Sequence, residues 1–169
     1  DPIILEKKLS DLGINIKNFK IQNDEIFLPI GVTYDDLSDV NILRIRCEES
    51  KSTRNTFNLK RHLTNNLDCI EYETQITDPT ILSKILIALG YYKAIEVKKK
   101  RYSGAYSKYN INLDYVDRLG SFIEIEALLE DDATEEQAIA TQYELTKILT
   151  NFGLDEKDIV IMSYDTELY

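Results

Sequence analysis

The segment DYVDRLGSFIEIE, residues 114–126, places two carboxylates on one face of a predicted strand. Side chains alternate across a β-strand, so Glu124 and Glu126 point to one side while Ile123 and Ile125 point to the other. Taken alone, this pattern is typical of an antiparallel sheet that packs one face on a core and wets the other. Basic residues in the same alternation on other strands make the acidic pair a candidate site.

Size, charge and cysteine content limit the class of protein. With 169 residues the chain fits one domain, residues 1–169, and can bury a core without metal or disulfide support. No apolar run approaches the roughly 20 residues that cross a bilayer, and no signal segment opens the sequence, so we expect a cytoplasmic protein with no membrane partner. The net charge of -10 argues against a nucleic acid partner but permits a small anion in a local basic pocket. Cys47 and Cys69 lack CxxC spacing and have only His62 as an imidazole partner, which argues against a zinc site or a disulfide framework.

Periodicity along the chain predicts an α+β fold. Apolar residues at helical spacing predict helices over residues 2–12, 78–90 and 134–151, each with a start or stop signal. Alternating residues predict eight strands, at 19–28, 41–48, 55–63, 69–76, 94–102, 109–116, 121–129 and 159–164. No linker rich in Pro, Gly or Ser divides the chain, so we expect one barrel-like sheet.

Charged side chains recur on one face of several predicted strands. The pairs are Arg44 with Arg46, Lys60 with His62, Glu71 with Glu73, and Lys99 with Arg101. The helices carry apolar stripes that need the apolar face of the sheet, so the charged faces belong on its other side. If the sheet closes, they line its interior. Cationic side chains beside carboxylates suit a triphosphate bound with a divalent metal, because Arg and Lys bind phosphate oxygens and carboxylates bind Mg²⁺ or Mn²⁺.

The chain resembles the CYTH superfamily, also called the triphosphate tunnel metalloenzymes, in six ordered runs. They are LRIR at 43–46, FNLK at 57–60, EYE at 71–73, KKR at 99–101, NLD at 112–114 and LGSFIEIE at 119–126. The resemblance covers nearly the whole chain. Members include class IV adenylyl cyclases, thiamine triphosphatases and inorganic triphosphatases. The run QNDEIF at 22–27 and the terminal Ser163-Tyr164 are most similar to the class IV cyclase branch.

The resemblance implies an antiparallel, eight-stranded closed tunnel with flanking helices, and a role for each inward charge. By analogy, phosphate is bound by Arg44, Arg46, Lys60, Lys99 and Arg101. The metal, Mg²⁺ or Mn²⁺, would be held by Glu124 and Glu126, with Glu71 and Glu73 close by, and Asp114 would support the metal or its waters.

Two departures from the family pattern affect the site. The family has a Glu-x-Glu-x-Lys strand just before the first helix, and this sequence begins at Asp1, directly at that helix, so we expect the strand to be missing from it. Cys69 stands where the family usually has an arginine, two residues before Glu71, so one phosphate contact is expected to be absent.

Three functions remain open. The first is a class IV adenylyl cyclase-like conversion of ATP to cyclic AMP and pyrophosphate. The second is hydrolysis of inorganic, thiamine or nucleoside triphosphate, since the triphosphate-binding residues are shared. The third is a non-catalytic module that binds a triphosphate, which the two departures motivate. Each has a small-molecule triphosphate as partner, and the resemblance leaves a homodimer open.

Overall fold

A computed structural model describes residues 7, 9–11, 13, 14, 16, 18–35, 37, 39–63, 65, 67–130 and 132–169, with residue 156 described in its backbone alone. The predicted helix at 2–12 lies mostly outside the described residues, although Lys7 and residues 9–11 are helical. No helix in the described part of the chain is both long enough and apolar enough to cross a membrane.

The described residues form one sheet of seven antiparallel strands. They are β1 (Asn18–Pro29), β2 (Ile42–Glu49), β3 (Thr53–His62), β4 (Cys69–Ile76), β5 (Tyr91–Tyr106), β6 (Tyr109–Val116) and β7 (Gly120–Glu126). Their order is β4-β3-β2-β1-β5-β6-β7, so β4 and β7 are the two edges. Strand β1 lies at the centre, where it pairs with both β2 and β5.

The prediction of a closed eight-stranded sheet is wrong for the described part of the chain, which forms an open sheet of seven strands. The strand expected at 159–164 does not form. A 3₁₀ turn at Glu156–Asp158 and a short helix at Tyr164–Leu168 flank residues without regular structure. The run from Ile159 to Met162 is continuously apolar rather than alternating, so its sequence carries no periodic signal for a strand.

Apart from the helical residues near the amino terminus, three helices of the described part of the chain flank the sheet: α1 (Pro79–Ala88), α2 (Glu135–Asn151) and α3 (Tyr164–Leu168). Helix α1 begins where the Asp78 carboxylate accepts a hydrogen bond of 2.9 Å from the Ile81 backbone N–H, which satisfies one free donor of the first turn. Helix α2 begins with the predicted capping box between Thr134 and Gln137.

Helices α1 and α2 cover the same face of the sheet. Leu86 of α1 packs with Phe27, Leu43 and Ile45 of β1 and β2. At the other end of the sheet, Ile111, Ile123 and Ile125 pack with Ile148, Leu149 and Phe152 at the carboxyl end of α2. The opposite face, here called the inner face, therefore carries the charged residues, as the alternation predicted.

Candidate active site

The inner face surrounds a cavity of about 270 Å³. Residues of all seven strands line this cavity, and Glu73 of β4 and Glu126 of β7 both belong to it although these strands are the two edges of the sheet. The sheet must therefore curl so that its edges approach across the inner face.

One end of the inner face is apolar and closed. Ile26, Leu28, Ile42, Val97 and Val116 form a buried cluster there, and Phe122, Tyr164 and Leu168 pack against it. This cluster is here called the floor, and α3 packs against it. The inner face is therefore a cup with charged residues above a hydrophobic base.

Above the floor, Asp24 and Arg46 form a two-point ion pair between β1 and β2. Arg46 donates from Nε and Nη2 to the two carboxylate oxygens at 2.7 and 2.6 Å, and Asp24 is only 3% exposed. Burial alone would raise the pKa of Asp24, but the hydrogen bond and charge of Arg46 outweigh it and lower the pKa to about 2. Asp24 is thus a charged carboxylate that fixes the Arg46 guanidinium.

A second two-point ion pair joins β5 to β6, and these two pairs are here called forks. Arg101 donates to both oxygens of Asp114, at 2.7 and 2.5 Å, and its Nη2 also lies 2.8 Å from Glu124 of β7. Lys99 Nζ lies 3.9 Å from an oxygen of Asp24 and 3.9 Å from an oxygen of Asp114. Burial lowers the pKa of Lys99 to about 8, and the nearby Arg101 charge acts in the same direction. Lys99 therefore links the two forks into one network across the sheet.

Glu124 and Glu126 act as a coupled carboxylate pair. Hydrogen bonding to Glu124, together with burial, raises the pKa of Glu126 to about 8. Burial opposes ionisation of Glu124, but its hydrogen bond to Glu126 and the charge of Arg101 hold its pKa well below the usual range. The hydrogen bond between the two carboxyl groups and the raised pKa of Glu126 favour a singly protonated pair, because two neighbouring carboxylates ionise together only at a cost.

The pair fits a divalent cation. A cation between Glu124 and Glu126 would replace the shared proton and remove the like-charge repulsion. No three His, Cys, Asp or Glu side chains among the described residues are grouped to hold a metal by themselves. Mg²⁺ is commonly held by one or two carboxylates with waters and substrate phosphates completing its shell, and the donor set here matches that mode.

The predicted acidic residues of β4 lie apart from this pair. Glu71 accepts a hydrogen bond of 3.2 Å from Asn58 and lies 3.8 Å from Arg44, and Glu73 lies 3.4 Å from Arg54. Both carboxylates are thus paired with side chains of β2 and β3. Glu71 is nevertheless near enough for its charge to raise the pKa of Glu126.

Two predicted phosphate-binding cations are less committed than the others. Within the described residues, Arg44 has only the 3.8 Å contact to Glu71, and its buried Nε has no hydrogen-bond partner there. Lys60, which pairs with Glu71 in the strand register, forms no ion pair within 4.0 Å among the described residues. These two side chains can accept an anion without first losing a close carboxylate.

His62 and Cys69 are cross-strand partners at the β3–β4 end of the site. Burial and the Lys60 charge lower the pKa of His62, which favours a neutral imidazole. Burial raises the pKa of Cys69, whose Sγ lies 3.8 Å from Glu71. Cys69 is thus a protonated thiol, and it supplies no positive charge at the position where the family usually has an arginine.

Several residues of the site were not predicted from the sequence. Asp24 and Gln22 share the inner face of β1, and the alternation that ends in Ile26 and Leu28 could have identified them. Thr56, Asn110 and the Ser103–Asn112 hydrogen bond of 2.8 Å have no sequence signal, because uncharged polar residues are ordinary on a wet sheet face.

Among the described residues, the inner face carries seven basic side chains and seven carboxyl groups, so its charge is close to neutral. Its cations are Lys20, Arg44, Arg46, Arg54, Lys60, Lys99 and Arg101, and its carboxylates are Asp24, Glu48, Glu71, Glu73, Asp114, Glu124 and Glu126. A polyanion that enters such a cup must bring its own cations or displace the carboxylates from the guanidinium groups. This balance is a physical reason for a metal to accompany the ligand.

A curled antiparallel sheet with this charged cup defines a domain with an internal site for a small anionic ligand. The CYTH domain model matches residues 31–164. The chain belongs to the CYTH family, whose members generally act on triphosphates.

Solved structures share the fold. A Pyrococcus horikoshii OT3 protein has a TM-score of 0.82 at 24% identity, covering 97% of this chain and 91% of that one. A putative adenylate cyclase from Vibrio parahaemolyticus has a TM-score of 0.71 at 21% identity, covering 96% and 90%. A putative adenylate cyclase from Bacillus halodurans has a TM-score of 0.63 at 16% identity, covering 100% and 92%. No curated protein matches the chain.

Proposed function

We propose that this chain is a metal-dependent enzyme that converts ATP to cyclic AMP and pyrophosphate, in the manner of a class IV adenylyl cyclase. The observation that carries the proposal is the cup itself, in which cations fixed by buried forks face the Glu124 and Glu126 pair. Family membership supports the triphosphate as ligand. The run at 22–27, which lies on β1 in the site, supports the cyclase branch.

In this proposal the cations divide into two groups. Arg44 and Lys60 bind phosphate oxygens directly, because in the described part of the chain Arg44 makes only the 3.8 Å contact to Glu71 and Lys60 makes no ion pair. Arg46, Lys99 and Arg101 are oriented by Asp24 and Asp114 and stabilise charge on the pyrophosphate leaving group. The forks thus prepare the cations before the ligand arrives, so little reorganisation is required at the reaction step.

Glu124 and Glu126 would hold Mg²⁺ or Mn²⁺ beside these cations. A bound metal lowers the pKa of an attached hydroxyl and offsets the charge on the phosphate oxygens. The chain's contribution is to orient the pair, because Arg101 and Asn112 each donate to Glu124, at 2.8 and 3.2 Å. Glu126 is then the more adjustable carboxylate, with 42% of its side chain exposed.

The mouth of the cup favours an organic substituent on the triphosphate. Ser103, Gly104, Asn110 and Asn112 form an uncharged part of the cavity wall. Gly104 contributes no side chain, and the Asn110 amide offers an acceptor as well as donors. A nucleoside can use both, whereas an ionised polyphosphate can use only the donors. This wall is the specific observation that favours ATP over inorganic tripolyphosphate.

Product analysis tests the proposal. The full-length protein is incubated with ATP and Mg²⁺ or Mn²⁺, and cyclic AMP and pyrophosphate should appear in equal amounts. Phosphate release from tripolyphosphate or thiamine triphosphate, with no cyclic AMP from ATP, would replace cyclisation with hydrolysis. Tight binding of a triphosphate by calorimetry without any turnover would leave only a binding module.

A further inference from the structure

Gln22 carries an unused hydrogen-bond acceptor at the wall of the cup. Its side chain lines the cavity and is only 2% exposed. The Nε2 group donates to Glu48 at 2.7 Å, and the Oε1 atom has no hydrogen-bond partner in the described part of the chain. Because a carboxylate can only accept, this contact fixes the amide so that Oε1 is the free atom.

Because Oε1 of Gln22 is a hydrogen-bond acceptor, it limits the kind of group that can bind to it. A buried acceptor without a partner is costly, so a bound ligand or water that donates a proton would be favoured there. Ionised phosphate oxygens carry no proton and cannot donate. A divalent cation is disfavoured as well, since Gln22 lies opposite Lys99 in the strand register and shares the cavity wall with Arg46 and Arg101. A hydroxyl group, carried by water and by the ribose of a nucleotide, can donate to this acceptor.

We propose that Gln22 is the residue that accepts a hydrogen bond from the attacking O–H group and orients its oxygen toward phosphorus. The inference rests on the proposed function, because it assumes that a triphosphate reacts in the cup. An amide cannot take up the proton, so Gln22 positions the nucleophile and does not act as a base. Glutamine has this role toward attacking water in GTP-hydrolysing enzymes.

The O–H group has two sources. In cyclisation, the ribose 3'-oxygen bonds to the α-phosphorus, the bond from that phosphorus to the bridging oxygen breaks, pyrophosphate leaves with the electron pair, and the hydroxyl proton passes to solvent. In hydrolysis, a water oxygen bonds to the terminal phosphorus, the bridging bond breaks, the shortened polyphosphate leaves, and one proton passes to solvent. Both need an acceptor that holds the O–H in line.

The neighbouring residue provides a matched control. Asn23 donates from Nδ2 to Glu96 at 2.7 Å, and its buried Oδ1 has no hydrogen-bond partner among the residues that the structure describes. Its side chain lies on the opposite face of β1, away from the cavity. Gln22→Met and Asn23→Leu therefore remove the same kind of amide–carboxylate contact on the two faces of one strand.

The test separates turnover from binding. Gln22→Met should lower kcat by about tenfold to a hundredfold, while the calorimetric Kd for tripolyphosphate with Mg²⁺ changes by less than about twofold. Asn23→Leu should retain the wild-type kcat. Gln22→Asn keeps the amide but shortens the side chain by one methylene, and it should behave like Gln22→Met. If circular dichroism shows that Gln22→Met is unfolded, Gln22→Asn is used in its place. Cyclic AMP formation from ATP and phosphate release from tripolyphosphate are measured separately, and the reaction in which kcat falls identifies the donor.

The outcomes are distinct. An unchanged kcat, an equal loss of kcat and tripolyphosphate affinity, or a selective loss of Mg²⁺ affinity in Gln22→Met would each overturn the assignment. An active wild-type protein with an unaffected Gln22→Met overturns the Gln22 role alone. A wild-type protein that turns over no triphosphate overturns both this role and the proposed function.

Discussion

Asp24 is a buried charge whose desolvation cost is offset chiefly by the Arg46 guanidinium. Its pKa falls from 3.8 to about 2, and each unit corresponds to 1.36 kcal/mol, so the ionised form contributes about 2 kcal/mol to folding at neutral pH. Because the folded pKa is the lower one, this contribution is complete above pH 4 and is lost as the pH falls through about 2.

Asp24→Asn should therefore destabilise the domain at pH 7 by about 3–5 kcal/mol, since it leaves Arg46 buried without its partner. Urea unfolding of both proteins should show this difference narrowing between pH 4 and pH 2, where the wild-type carboxylate takes up a proton. Asp155→Asn removes an exposed partner of Lys157 and should change stability by less than about 0.5 kcal/mol. A difference that stays constant over this pH range would contradict the assigned role of the Asp24 charge.

Glu124 and Glu126 oppose each other electrostatically, so their removal should separate function from fold. In the double variant Glu124→Ala and Glu126→Ala, metal-dependent turnover should fall by more than about a hundredfold, because no carboxylate pair remains for the cation. Arg101 keeps its fork to Asp114, so the unfolding free energy should change by less than about 2 kcal/mol. Mn²⁺ binding by calorimetry measures the loss directly, and Glu96→Ala on the outer face is the control. Retained Mn²⁺ affinity would show that the metal binds elsewhere.

At the scale of the element, the strands with alternating residues were predicted well and the last segment was not. Strands β1, β2, β3, β4 and β6 lie within two residues of their predicted limits, since apolar residues alternate with polar ones along much of their length. The run at 159–162 has high strand propensity but no alternation. Its irregular conformation depends on the packing of α3 under the sheet, which is a long-range contact that local sequence does not encode. The same limit applies to closure of the sheet, since periodicity specifies faces and not the meeting of edges.

Helix α3 has too few residues to be stable alone, so its floor contacts must hold it in place. Tyr164 packs on Phe122 with ring centroids 5.1 Å apart, and Lys99 Nζ lies 5.1 Å above the Tyr164 ring. Tyr164→Ala should cost about 3–5 kcal/mol of unfolding free energy and open the floor beneath Lys99. Tyr143→Ala, at a position with 63% exposure on α2, should cost less than about 1 kcal/mol. Equal losses of unfolding free energy in the two variants, measured by urea unfolding, would mean that α3 does not close the floor of the cup.

At the scale of the whole molecule, the net charge of -10 opposes the approach of a polyanion, while the balanced cup neither attracts nor repels it strongly. Electrostatic repulsion slows association at long range and is screened by salt. The family resemblance predicted the inward cations but not this balance, because it assigned no role to Asp24 or Glu48, although alternation along β1 and β2 places both on the inner face.

The association rate for tripolyphosphate should therefore rise when the salt concentration increases from about 10 to about 150 mM, over which the Debye length shortens from about 30 to about 8 Å. The dissociation rate should rise as well, because the same salt weakens the contacts with Arg44 and Lys60 inside the cup. Stopped-flow fluorescence with Mg²⁺ present would measure both rates. Neutralising exposed acids remote from the cup, Glu135 and Glu136 at the start of α2, should raise the association rate at low salt and leave dissociation unchanged. An association rate that falls with added salt would mean that a local positive field, and not the net charge, governs the approach of the ligand.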